Sequence, residues 1–233
     1  MALEGGAWGW GRVCDAPPEE GACLMKVSIV GTGHIGSVLA RLLVGAGHQV
    51  LLANARGPQS LAPLVAELGP AAEAREAEAA AREGDLVVLM VPFGQVKDLF
   101  AADAVAGKVL VDATNAYGAG GGRGAGAGPS SSELVAAWYP GARVVKALNT
   151  MNFKTLGASA MRSGDARLAH YVAGDDQAAK DQVATLIESL GFVVVDTGAL
   201  HGGSVRQQPG SAVYNHPLTA EQAHAALRAD APH

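Results

Sequence analysis

The sequence predicts an α/β fold built on a doubly wound parallel sheet, and three observations carry that prediction. Short β-branched runs alternate with helical patterns along most of the chain. One run, Leu86 to Val91, is apolar throughout, as a strand covered on both faces must be. A glycine-spaced turn joins the first run to the first helical pattern. Composition agrees, since 49% of the 233 residues are hydrophobic and only 5% aromatic. That mixture suits helices packed on a sheet better than a β-sandwich.

Taken in order, Val27 to Val30 reads as a buried strand, followed by a helix whose Ile35, Leu39, Leu42 and Leu43 share one face until Gly45 and Gly47 stop it. Gln49 to Ala53 is the second strand, Leu61 to Leu68 the second helix and Ala71 to Ala74 a short third strand. Ala77 to Arg82 is helical, Leu86 to Val91 the fourth strand, Val109 to Asp112 the fifth and Arg143 to Ala147 the sixth. These spacings imply right-handed crossovers between parallel strands. Between strands five and six, Gly118 to Gly128 is almost entirely Gly and Ala and reads as a loop. Ser130 to Ser132 offer N-caps for a helix through Trp138. Beyond Lys146 the pattern gives a strand at Arg167 to Val172, an amphipathic helix at Asp176 to Leu190 and a strand at Gly191 to Asp196. This stretch could extend the sheet or form a small lobe against it. The tail from Leu200 is rich in His, Gly, Gln and Pro and ends in a helix starting near Leu218.

The net charge of −5 and the lack of a Lys/Arg block argue against a nucleic-acid or anionic-membrane surface. No run approaches the ~20 apolar residues that span a bilayer, so a soluble, cytoplasmic protein is expected. The two cysteines, Cys14 and Cys23, make no disulfide framework and fit a reducing compartment. Residues 1–24 have no periodicity and no secretory-signal pattern. They read as a disordered extension or as the product of an upstream start codon, and the second reading, with Met25 as the true beginning, is favoured.

The run Gly31-Thr32-Gly33-His34-Ile35-Gly36 stands where a dinucleotide site needs it, after a strand and before a helix. Gly31 turns the chain tightly, Gly33 lets backbone N–H groups approach a pyrophosphate and Gly36 lets helix and strand pack closely. The helix N-terminus then presents unpaired N–H donors and partial positive charge to the phosphates. The end of the second strand selects the nucleotide. An NAD site carries Asp or Glu about 20 residues past the motif, whereas this chain has Asn54-Ala55-Arg56-Gly57-Pro58 there. Arg56 can fork onto a 2′-phosphate and Asn54 can donate a further hydrogen bond, so NADP is expected. Val91, Pro92 and Phe93 follow strand four at the edge where nicotinamide would lie, with Phe93 lining the pocket. Asn115 and Asn149, at the ends of strands five and six, can bond a carboxamide or a substrate, or simply cap turns.

The glycine run, the Asn54–Pro58 turn, the Val91-Pro92 strand end, Asp112-Ala113-Thr114-Asn115, Lys146-Ala147-Leu148-Asn149-Thr150 and Ala173-Gly174-Asp175-Asp176 together resemble the NADPH-dependent F420 reductase (F420H2:NADP oxidoreductase-like) family. The resemblance runs from Met25 to about Leu218. It implies a homodimeric Rossmann-type enzyme passing hydride between NADP and deazaflavin coenzyme F420. It also implies Thr32, His34 and Ile35 along the pyrophosphate and nicotinamide, with Asn54 and Arg56 at the 2′-phosphate. The expected organisation is a segment 1–24, an NADP-binding Rossmann domain over 25–150, and a small C-terminal αβ extension and tail over 151–233 that completes the acceptor site.

The expected chemistry is direct hydride transfer to a small-molecule acceptor, with the protein fixing two rings near contact and excluding water. It requires no side-chain catalyst and no metal, and no Ser-His-Asp set, zinc spacing or paired-carboxylate motif is recognisable. His34, His170, His201 and His216 are assigned surface or capping roles. Gln207-Gln208-Pro209-Gly210 is read as a segment that returns to the pocket. Two other readings remain: an NADPH-dependent reductase of a flavin, ferric chelate, imine or carbonyl, and a non-catalytic NADP-sensing module. Imine-type reductases carry a long helical dimerisation domain, for which the stretch after the first half is too short.

Overall fold

In a computed structural model, residues 24–117 and 128–230 are described, and the two cysteines and positions 118–127 of the expected loop lie outside them. The first half alternates as the sequence predicts: β1 (Lys26–Val30), α1 (His34–Gly45), β2 (Gln49–Ala53), α2 (Ala62–Leu68), β3 (Ala72–Ala74), α3 (Ala77–Glu83), β4 (Leu86–Leu89) and β5 (Val109–Asp112). Then follow α4 (Ser131–Trp138), β6 (Arg143–Ala147), α5 (Phe153–Ser159), β7 (Ala169–Gly174), α6 (Gln177–Ser189), β8 (Val193–Gly198), α7 (Leu200–Val205) and α8 (Ala220–Ala229).

The eight strands among the described residues form one sheet, in the order β3-β2-β1-β4-β5-β6-β7-β8. Strands β1 to β6 are parallel, so the chain ends of all six face the same edge. The order reverses around β1 and β4, and that reversal opens a crevice for ligands at the carboxyl edge. Strand β7 joins antiparallel to β6, and β8 runs parallel to β7. The C-terminal αβ stretch therefore extends the sheet.

Helices cover both faces. Leu39, Leu43, Val183 and Ile187 pack on one face with Ile29, Val88 and Val145. Val135, Tyr139 and Leu200 pack on the other with Val30, Leu89 and Leu110. Each fully buried Leu, Ile or Val contributes roughly 1.5–3 kcal/mol, which explains why strands this short are stable. A smaller cluster of Tyr171, Val195, Val213, Ala223 and Leu227 seats α8 against β7 and β8.

Several expectations need correction. The strand expected at Arg167 to Val172 runs from Ala169 to Gly174. Leu168 is drawn into a bridge with Thr219, and pairing with β6 carries the strand through Ala173 and Gly174 despite their weak β-propensity. The strand expected at Gly191 to Asp196 moves in step to Val193–Gly198. Strand β4 ends at Leu89, two residues before Val91, because the chain turns away over Gly31. His170 is neither on the surface nor a cap but is buried, because β7 is covered on both faces. The helix near Leu218 starts at Ala220 behind a Thr219 cap, and α7 has no counterpart in the sequence reading. No helix of the described residues is long and apolar enough to cross a membrane.

Candidate dinucleotide site at the carboxyl edge

The glycine turn divides its labour between packing and openness. A Cβ on Gly31, whose φ is 112°, would stand 2.3 Å from the Met90 carbonyl oxygen, and one on Gly36 would stand 2.0 Å from the Gly31 oxygen. Those two glycines let backbone meet backbone. A Cβ on Gly33 would meet nothing within 4 Å, so at that residue the turn opens onto free space. No side chain caps α1 and no acid lies in its first turn, so its leading N–H groups face that space. Ser37 Oγ donates to the Thr32 oxygen at 3.2 Å and Gly31 N to the Ala53 oxygen at 2.9 Å, tying the turn to β2. His34, exposed at the start of α1, stacks on Phe153 with ring centres 5.0 Å apart, while Ile35 packs partly against the core.

At the end of β2, Asn54 organises a loop. Its amide donates to Thr32 Oγ1 at 3.1 Å and to Ser60 Oγ at 3.0 Å, and its oxygen accepts from Arg56 N at 2.8 Å. Both Asn54 amide hydrogens are thus used inside the protein. Arg56 is exposed, and its guanidinium has no hydrogen bond or ion pair among the described residues. Sequence reasoning missed Glu76. Its carboxylate lies 3.9 Å from where a Gly57 side chain would begin, brought there by the short strand β3. The Arg56 turn is therefore basic at its tip with an acid alongside.

Across the crevice, Val91 lies over Gly31, and Pro92 is exposed. Phe93 packs on Trp138 at 5.3 Å, so α4 fixes its ring. Asn115 and Asn149, 34 positions apart, meet directly. Asn115 donates to the Asn149 backbone oxygen at 3.0 Å, and the Asn149 amide donates to Asn115 Oδ1 at 3.0 Å and to the Gln207 oxygen at 2.8 Å. A left-handed Leu148, buried with φ 59°, turns the chain at that point. Such a backbone is costly for a branched residue and persists only where surrounding packing enforces it.

Beneath this pair runs a buried network that the sequence reading did not single out. Lys146 Nζ lies 3.2 Å from Asp112 Oδ2, both fully buried, and also donates to the Thr114 carbonyl. Asp112 accepts from Thr114 N and Oγ1 and from Ser132 Oγ. Burial opposes the Asp112 charge, but Lys146 and the Thr114 and Ser132 donors together outweigh it and hold the carboxyl below its ordinary range. Burial also lowers the pKa of Lys146 against the pull of Asp112. A lysine inside an apolar strand, facing an acid in the neighbouring strand, was the signal available. The tail docks alongside, with Gln208 donating to Ser131 Oγ and Ser204 to Ser130 Oγ.

Residues 26–116 match the family model described as NADP oxidoreductase, coenzyme F420-dependent. Among solved structures, a hypothetical protein, SMa0349, from Sinorhizobium meliloti is 34% identical, with TM-score 0.72, over 84% of this chain and 96% of that one. A protein from Arthrobacter sp. FB24, named provisionally as an F420-dependent NADP reductase, is 29% identical, with TM-score 0.66, over 84% of this chain and 99% of that one. A reductive aminase from Aspergillus terreus, solved with NADPH, is 20% identical with TM-score 0.59, and shares the fold over 79% of this chain and 59% of its own. By the matched family, by these two closer likenesses and by the glycine turn just described, the chain belongs to the coenzyme F420-dependent NADP oxidoreductase family.

Proposed function

We propose that the protein is an NADP-dependent oxidoreductase that passes hydride between NADPH and a flavin-like acceptor, with deazaflavin coenzyme F420 as the acceptor. The observation that carries the reading is the open turn at Gly33, facing the uncapped start of α1, with the Arg56 guanidinium, unpaired among the described residues, at the next strand end. The residues present fit a phosphorylated dinucleotide: N–H donors for a pyrophosphate and a forked cation for a 2′-phosphate. When bound, NADPH supplies a hydride from its nicotinamide ring.

The chain's own residues bind and orient. Gly31, Gly33 and Gly36 shape the cradle, and Thr32, His34 and Ile35 border it. Asn54 holds the loop that presents Arg56. Val91, Pro92 and Phe93 form one wall of the crevice, and Asn115 with Asn149 forms the polar wall opposite. The assembly we propose is a homodimer acting on a small-molecule acceptor.

The test is a titration of the full chain with NADPH and with NADH, followed by nicotinamide absorbance after adding F420, FMN or ferric chelates in turn. NADPH should bind at least about tenfold more tightly, as expected for charge-assisted bonds to one phosphate. Arg56→Asp should erase that preference, and Glu76→Gln should sharpen it by removing the neighbouring negative charge. Equal affinity of the unaltered protein for NADH would overturn the reading.

A further inference from the structure

Three large apolar side chains among the described residues stand exposed: Leu24, Tyr117 and Met161. Leu24 precedes β1 at the amino edge, and Met161 sits in the turn against Gly191. Tyr117 is different. It is 74% exposed, yet it follows Asn115 by two residues on the carboxyl edge and is not loose. Its hydroxyl shares a 2.7 Å hydrogen bond with that of Tyr214. Tyr214 is itself anchored, because Asn215 N donates to the Thr150 oxygen at 2.8 Å. The tyrosine pair therefore spans from the end of β5 to the tail, next to the Asn115–Asn149–Gln207 bonds that make the same crossing.

A hydroxyl–hydroxyl bond restrains a tyrosine through its rim and leaves the ring faces unused. Such a face, held in place before a ligand arrives, stacks at little entropic cost. Hydride transfer requires the acceptor to lie face to face with nicotinamide, which leaves the acceptor's outer face to water unless an aromatic group covers it. Phe93 is spoken for by Trp138, and Phe153 by His34. We propose that Tyr117 stacks on the outer face of a planar heteroaromatic acceptor, anchored by Tyr214, and so selects fused-ring acceptors over aliphatic carbonyls. This rests on the hydride-transfer reading above.

The experiment measures binding of F420 and of FMN to the full chain saturated with NADP+, by fluorescence quenching, for the unaltered protein and for Tyr117→Ala, Tyr117→Phe and Tyr214→Phe. Tyr117→Ala should weaken binding of both rings about three- to tenfold, as loss of one aromatic stack implies, with NADPH affinity held within about twofold. Tyr117→Phe keeps the face and should lose less than Tyr117→Ala, and Tyr214→Phe, which removes only the anchor, should match Tyr117→Phe. Ring affinity unchanged in Tyr117→Ala overturns the proposal, and so does failure of the unaltered chain to bind either ring. Tyr117-dependent ring binding without NADPH consumption would uphold the stacking and sink the hydride reading instead.

Discussion

The β1–β4 half and the β7–β8 half of the sheet are built from the same α/β repeats but treat polar groups differently. In the first half, the half-buried polar side chains at the crevice are paired: Asn54 with Thr32 and Ser60, Ser37 with the Thr32 carbonyl. In the second half, with the β6 end that adjoins it, Asn149, Thr150, His170, Tyr171, Gln207, Gln208 and Ser211 all carry buried atoms with no partner among the described residues. A buried polar atom without a partner costs about 1–3 kcal/mol. The first half is thus locally self-consistent, whereas the second is held by apolar packing that overrides its polar strain. Polar groups left in that state gather where a ligand or a conformational change could satisfy them.

The sharpest way to break the comparison is at the seam between the halves. Lys146→Met would leave Asp112 buried and unpaired and should destabilise the protein by about 3–5 kcal/mol, read as a fall in the denaturation midpoint. Asp112→Asn in the same chain should recover part of that loss, since no lone charge then remains.

Acid should act next, and chiefly on the second half. Burial lowers the His170 pKa to about 4. Since the folded state then binds fewer protons than the unfolded chain, stability is full above about 6.5 and is lost as pH falls from there towards 4, by about 3 kcal/mol in all. Burial lowers the pKa of His48 as well, adding loss of the same sign. Its Nδ1 accepts from Met25 N, a bond that protonation would forfeit. Urea midpoints from pH 8 to pH 4 measure the slope, and His170→Leu should flatten most of it.

The smallest expected change in stability sharpens the first half. Gly36→Ala places a methyl against the Gly31 carbonyl, so the turn must shift, at about 1–3 kcal/mol. NADPH binding should fall far more than stability does, because the shift moves the open turn at Gly33. Calorimetric titration beside thermal melting separates the two effects, and Gly33→Ala, which meets no neighbour, should melt close to the unaltered protein.

Much of the first half was legible because its signals are local. A glycine spacing, a helical face and an apolar run can each be read within a dozen residues, and β1 to β6 emerged within about two residues of their expected bounds. Arg56 could be placed on the loop after β2 for the same reason. The Glu76 carboxylate could not, since only pairing of β3 with β2 carries it there. The shift of β7 to Gly174 and the burial of His170 were hidden likewise. Neither follows from propensity, because both depend on an antiparallel partner that the spacing of the segments does not name. The contact of Asn115 with Asn149 was half visible: their place on one edge followed from strand order, but their hydrogen bonds did not.

Taken alone, the sequence determined the alternation of strand and helix, the sharp glycine turn at the first helix and the absence of an acid at the end of β2. Each depends on backbone sterics or on the charge of residues close together in the chain. Tertiary structure alone decided which way β7 runs, which acid stands near Arg56, and that Lys146 and Asp112 meet in the interior. It also brought Tyr214 across to Tyr117. The reason is physical: those outcomes depend on which distant surfaces bury each other, and that is settled by the summed packing of the whole chain.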